Sequence, residues 1–216
     1  MEQNDLRSLK GVGPSVEDKL KNLDIFNQTD LLFHLPSRYE DRTAIKKIGA
    51  LVSDSEAQVE GEIVLSNMIF RGRRMLMVQI SDGTGIMTLR FFTFNKYQKD
   101  ALKKGLTIRC FGKTRKTTSG IEMIHPNYEI LDSNKKNHLP NTLTPVYPTT
   151  QGLAQGKLRS FISQALNNRL DNIEDLLPTK IASDLGLGSL KQALKETHRP
   201  KKELLDLEML SPAKKR

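Results

Sequence analysis

Three glycine-bearing segments of this chain come close to phosphate-binding signatures. Gly112-Lys113-Thr114 has the ending of a P-loop, whose backbone N–H groups and lysine would cradle a nucleoside triphosphate. That signature needs a further glycine at position 107, where this chain has Thr107, and it needs a strand-loop-helix context that a strand reading of the segment denies. Gly11-Val12-Gly13 and Gly83-Thr84-Gly85 each lack the third glycine of a dinucleotide fingerprint, at Val16 and Thr88. No Walker A or Walker B motif is visible. The histidines His34, His125, His138 and His198 are scattered without metal-ligand spacing, and they form no Ser-His-Asp or Cys-His constellation. His34, beside a leucine-rich stretch, reads as a packed or surface histidine. The sequence therefore assigns no catalytic residue, no metal ligand and no cofactor to this chain.

The chemistry it does suggest is recognition of a polyanion with flat rings. In the strand read over 85–94, Met87, Leu89 and Phe91 share one face, while Ile86, Thr88, Arg90, Phe92 and Phe94 share the other. In the strand read over 105–114, Leu106, Ile108 and Cys110 point one way; Thr107, Arg109, Phe111, Lys113 and, just beyond, Arg115 point the other. With the aliphatic faces as core, the mixed aromatic and cationic faces lie outside. Exposed rings stack nucleobases at about 1–3 kcal/mol each while Lys and Arg hold phosphates, so such a surface suits nucleic acid. The alternative is that these phenylalanines pack beneath flanking segments. The turn Phe70-Arg71-Gly72-Arg73-Arg74 places Arg71, Arg73 and Arg74 on one hairpin tip, either a phosphate clamp or a solvated tip. Leu9-Lys10-Gly11-Val12-Gly13-Pro14 followed by a helix is helix-hairpin-helix-like, and its turn would offer backbone N–H groups to one phosphate; a plain helix-helix turn is the other reading.

The elements that must hold these residues fall into an α+β arrangement. Residues 1–50 read as a helical region, with apolar positions at helical spacing through Leu35 and a stop at Pro36. Residues 51–133 read as a five-stranded barrel with strands over 57–70, 74–81, 85–94, 105–114 and 120–131, and a short helix over 95–104. Five strands with one helix between the third and fourth is the element order of an OB-fold, a small Greek-key barrel that binds oligonucleotides. Residues 134–152, with the polar run Asn134-Lys135-Lys136-Asn137 and then Thr144-Pro145-Val146-Tyr147-Pro148, read as a linker. Helical segments follow over 153–216, the last around Leu204–Leu210.

Length and charge agree with this division. The 216 residues suffice for one large or two small domains, and the lone cysteine forms no intrachain disulfide. No apolar run reaches membrane-spanning length, and no signal-peptide core opens the chain, so the expectation is a soluble intracellular protein with no membrane partner. Of the net charge of +9, residues 66–116 carry +10 and the rest −1. An excess confined to the barrel segment points to a polyanion-binding patch.

Several runs, in order along the chain, carry a resemblance: Leu9-Lys10-Gly11-Val12-Gly13, His34-Leu35-Pro36-Ser37-Arg38-Tyr39-Glu40-Asp41-Arg42, Gln79-Ile80-Ser81-Asp82-Gly83-Thr84-Gly85, Arg90-Phe91-Phe92, Glu122-Met123-Ile124-His125-Pro126, Leu143-Thr144-Pro145-Val146-Tyr147-Pro148-Thr149-Thr150 and Thr197-His198-Arg199-Pro200. Together they resemble the N-terminal part of the bacterial RecG family of ATP-dependent DNA helicases. The resemblance implies an OB-fold wedge that splits strands at a DNA junction, with an aromatic of the wedge stacking at the fork. Phe92 and Phe94 sit in the matching segment, with Tyr97 just beyond, and the choice among them stays open. The implied partners are forks and Holliday junctions, in fork reversal and branch migration; a monomer in the bacterial cytoplasm, associated with the nucleoid, is expected. The family's motor domains, which use ATP and Mg, would follow Arg216, so the sequence reads as a fragment or truncated product without ATPase activity of its own. The rival reading is a protein-docking OB-fold that grips a single-strand-binding protein or the motor.

Overall fold

A computed structural model describes residues 4–132 and 138–201, with the backbone alone at Arg71 and Arg73. The expected polar run at 134–137 and the expected helical piece at 204–210 lie outside the described residues. The chain forms two compact units, one from residues 41–140 and the other from residues 1–40 together with 141–216. The sequence reading instead drew boundaries after residues 50, 133 and 152, and treated the two flanking helical regions as separate.

The alternation that begins near Ala57 builds the first unit. β2 (Glu56–Arg71), β3 (Arg73–Ser81) and β4 (Ile86–Phe91) form an antiparallel meander, followed by α3 (Lys96–Ala101), β5 (Thr107–Thr117), β6 (Gly120–Ile124) and β7 (Asn127–Ile130). β4 pairs with β6 in parallel, β6 with β5 and β5 with β2 antiparallel, which closes the ring as an OB-fold barrel. Closure removes the exposed sheet edge that an open meander would leave. Of the residues that periodicity turned inward, Met87, Leu89, Phe91, Ile108 and Cys110 are buried in the core and Leu106 packs partly buried against it, while Val59, Leu76, Val78 and Ile80 from β2 and β3 complete it. Cutting Leu76, Ile80, Leu89 or Ile108 back to alanine in such a core costs about 2–5 kcal/mol.

Two strands depart from the sequence expectation. The single strand expected over 120–131 is broken at His125-Pro126 into β6 and β7, which follow one another along β5 with a one-residue change of register. Pro126 supplies no N–H to the ladder, and His125 takes a φ of 45°, which turns the chain. The strand expected to run to Phe94 stops at Phe91. At the other extreme, β2 serves two partners: residues 56–62 pair with β5 and residues 62–71 with β3, and its far end runs out to the hairpin turn at Gly72, whose φ is 73°. The short helix α3 starts at Asn95, whose side chain accepts from the Gln98 N–H at 2.7 Å, and Leu102 behind it is buried in the barrel core.

The second unit packs α1 (Pro14–Lys21), α2 (Gln28–Phe33), α4 (Gln155–Arg169) and α6 (Leu190–His198) around Leu20, Leu31, Leu32, Leu158, Phe161 and Ile162. Pro14 opens α1, and a capping box between Asn27 and Asp30 opens α2. The stretch read as a linker contains β8 (Thr144–Val146), which pairs with β1 (Arg38–Glu40), so this unit is stitched together from both ends of the described chain. α5 (Thr179–Asp184) lies between α4 and α6 in sequence.

Candidate nucleic-acid interface

The strand register sets a row of charged residues across the outer wall of the barrel. Arg115 on β5 stands opposite Glu122 on β6, and Glu122 in turn lies beside β4, where Arg90 is two residues beyond its partner Thr88. The Arg90 Nε donates to Glu122 Oε2, and the Glu122 side chain is only 8% exposed. Arg115 is exposed. These three residues, with Met75, Phe92 and the β5–β6 turn at Thr117–Ser119, line an open groove of about 540 Å³.

Phe92 stands at the rim of this groove because β4 has just ended. Its N–H donates to His125 Nε2 at 3.2 Å, and the two rings lie 5.8 Å apart between centroids. His125 in turn donates its backbone N–H to the Arg90 carbonyl at 2.9 Å and sets its ring edge-on to Phe91 at 6.0 Å. The strand break at His125-Pro126 thus holds the end of β4 from the side. Phe94 goes elsewhere: it packs against the barrel core, and the Arg74 guanidinium lies 5.9 Å from its ring centroid. The shared face expected for Phe92 and Phe94 is not found, since alternation lapses once the strand stops at Phe91. Tyr97, on α3, is 83% exposed.

Four other expectations meet different surroundings. Arg109 does not face solvent: it is buried between its cross-strand neighbours, with Glu60 Oε1 at 2.6 Å and Glu129 at 3.9 Å. Phe111 is also buried, under the segment that precedes the barrel. There Arg42 sets its guanidinium 4.3 Å from the Phe111 ring centroid, and Gln58 donates to the Arg42 carbonyl at 2.6 Å. Arg90 is half-buried in its pair with Glu122. Lys113 is exposed, 3.4 Å from an equally exposed Asp54. An ion pair of that kind contributes little in water and leaves the lysine accessible to a phosphate.

At the β2–β3 tip, Arg71 and Arg73 face each other in register and Arg74 stands opposite Phe70. Arg74 also donates toward Met68 Sδ at 3.5 Å. Phe70 is 74% exposed and Met68 is exposed too, and neither was singled out in the sequence. An apolar residue next to three arginines at a hairpin turn is the signal that would have found Phe70.

The segment with a P-loop ending is a paired strand. Gly112-Lys113-Thr114 lies within β5, and its strand pairs with β2 at Lys113 and Gly112 and with β6 at Thr114, so it is not a loop that could wrap phosphates. Among the described residues no cluster of three or more His, Cys, Asp or Glu could hold a metal ion, and no helix is long and apolar enough to cross a membrane. Burial pushes the Cys110 thiol up to about 12, so it stays protonated at neutral pH. In the helix-hairpin-helix-like turn, Lys10 donates its N–H to Gln164 Oε1 at 2.8 Å and accepts from Gln164 Nε2 at 3.3 Å, so this part of the turn is tied to α4.

Residues 5–168 match the family model for the RecG wedge domain. The ATP-dependent DNA helicase RecG of Escherichia coli (strain K12) is 44% identical over 207 residues, a stretch that covers 94% of this chain and 29% of that protein. RecG of Haemophilus influenzae is 40% identical over 211 residues, covering 97% of this chain and 30% of its own length. The chain thus spans less than a third of the curated relatives it matches. A solved structure of RecG bound to a three-way DNA junction superimposes with a TM-score of 0.74 at 27% identity, over 99% of this chain and 29% of that one. With the family model covering most of its residues, the chain belongs to the RecG wedge domain family.

Proposed function

We propose that this chain is the DNA-junction-binding region of a RecG-type helicase, and that its barrel meets branched DNA where the strands part. The observation that carries this reading is the similarity, across nearly the whole chain, to a RecG that was solved on a three-way junction. The surface chemistry is of the right kind. Arg74, Lys113 and Arg115 are exposed and cationic, and the sequence places Arg71 and Arg73 on either side of the Gly72 turn. Phe92 at the groove's rim and Tyr97 on α3 present rings that a terminal base pair would stack on. Phe92 is the junction-facing aromatic in this reading, because Phe94 packs against the barrel core beneath Arg74. Arg109 and Phe111 act within the barrel wall, not on DNA. Fork reversal and branch migration would belong to the full-length protein, whose motor domains supply ATP hydrolysis with Mg, in the cytoplasm of a bacterium.

Salt dependence and substrate preference test the reading together. Roughly four phosphate contacts predict about a hundredfold loss of affinity between roughly 50 and 200 mM salt. Titrating the 216-residue chain against a labelled fork and a duplex of equal length should show that loss, with the fork bound more tightly. A flat salt dependence, or equal affinity for the two DNAs, overturns it.

A further inference from the structure

We infer that the groove between Phe92 and the β5–β6 turn is a subsite for one unstacked nucleotide of the junction. The inference rests on the function proposed above and adds to it a place for a single base. Its strongest support is an acid in the wrong company for a surface that touches phosphate alone. Glu122 is nearly buried in the lining of the groove, with Arg90 bonded to it from β4 and Arg115 opposite it on β5. Phosphate binding gains nothing from a carboxylate, which repels it. Burying that carboxylate on a barrel's outer wall is also no more stabilising than an apolar residue of similar size would be.

A base edge, by contrast, carries N–H donors as well as acceptors, and it needs both partners. A carboxylate offers about four acceptor sites, and the guanidinium offers donors in a fixed fork. The Arg90 contact uses a single Glu122 oxygen. The groove's two ends suit the rest of a nucleotide. The Phe92 ring provides a stacking wall on one side, fixed by the hydrogen bond from its N–H to His125. Arg115 and Thr118 also line the groove, and the phosphate would lie against the Arg115 guanidinium. A volume of about 540 Å³ falls within the roughly 300–1,000 Å³ typical of small-molecule sites. The occupant is therefore a nucleobase with its phosphate, taken from an unpaired position beside the junction, and hydrogen bonding of this mixed kind tolerates any of the bases.

The test couples a change in the DNA to a change in the groove. Thr118 and Ser119 form the two-residue turn between β5 and β6, away from the barrel core, so Thr118→Trp fills the groove without touching the core, and Ser119→Trp is an independent block. Forks are prepared with an abasic residue at each of the first unpaired positions in turn, and their affinities for the native chain and both variants are measured. At one position, losing the base should weaken native binding about tenfold. At that position both variants should bind the intact fork about tenfold more weakly than the native chain does, and should no longer distinguish intact from abasic DNA. If the native chain prefers forks, yet no abasic position separates it from the variants, the subsite is refuted while the junction reading stands. If the native chain shows no fork preference at all, the junction reading itself fails.

Discussion

Phe92 and Arg109 show how far side-chain type alone predicts a role. Both carry the residue type that suits nucleic acid, and both fall on the outward parity of their strands. The strand ladders separate them. Arg109 has acids as neighbours on both sides, Glu60 on β2 and Glu129 on β7, and the pairing of distant strands that puts them there cannot be read from local alternation. Phe92 escapes burial because its strand ends one residue earlier. Opposite outcomes follow from one substitution type. Phe92→Ala should weaken fork binding by about 1–3 kcal/mol while leaving duplex binding and the urea midpoint nearly unchanged. Arg109→Ala should lower stability by about 1–2 kcal/mol, because it removes the packing of a buried side chain and its charge-assisted hydrogen bond to the part-exposed Glu60, and should leave the fork-to-duplex ratio alone. Equal losses on fork and duplex for Phe92→Ala would place that ring in the core. A changed ratio without lost stability for Arg109→Ala would return that residue to the DNA surface.

Among the elements, the barrel strands were the most legible, because a half-buried strand writes its inside and outside into every second residue. Met87, Leu89 and Phe91 were read as inward, and all three are buried. Less legible was anything set by a close approach between strands, such as the point where β2 changes partner. Glu62 pairs with Thr107 on β5 and with Ser81 on β3, and the preceding Gly61 lies against the Ser81 backbone. A Cβ built on Gly61 would meet the Ser81 carbonyl oxygen at 3.0 Å, the Ser81 carbonyl carbon at 3.1 Å and Ile80 Cβ at 3.2 Å. No side chain can give way there, since two of the three atoms are backbone. Gly61→Ala should therefore force β2 and β3 apart and destabilise the barrel by about 1–3 kcal/mol. Gly83→Ala tests a different cost, since its Cβ would meet nothing within 4 Å although its φ is 82°. Urea denaturation of the two variants separates crowding from backbone strain, and a Gly61→Ala chain as stable as the native one would show that the crossing is loose.

For the molecule as a whole, the sequence allowed a barrel between helical regions but not that the two flanks make one body. Hydrophobic periodicity shows which face of a segment is buried, not which distant segment buries it. Thr144-Pro145-Val146, with a proline in its middle, has the composition of a linker and becomes a strand only because β1 is there to pair with it. The same seam is locked by buried polar contacts. Tyr147 Oη and His198 Nδ1 lie 2.8 Å apart, His198 Nε2 lies 2.8 Å from the Leu32 carbonyl, and Tyr39 donates to the Thr197 carbonyl at 2.8 Å. Burial lowers the His198 pKa below its usual value, which keeps the ring neutral and able to bridge a hydroxyl and a carbonyl. All of these partners lie within residues 1–40 or 141–216, so the barrel is an insertion into a body that holds itself together. The register then gives a specific excision. Glu40 pairs with Thr144, so joining Glu40 directly to Asn141 leaves residues 141–143 as a three-residue hairpin loop between β1 and β8. A chain of residues 1–40 fused to 141–216 should fold cooperatively, with a helical circular dichroism spectrum and a single urea transition. Its midpoint should fall as pH drops below about 6.5, because the unfolded His198 takes up a proton that the folded one resists, and His198→Gln should remove that slope. A gradual, non-cooperative melt of the fused chain would mean that this body depends on the barrel for its stability.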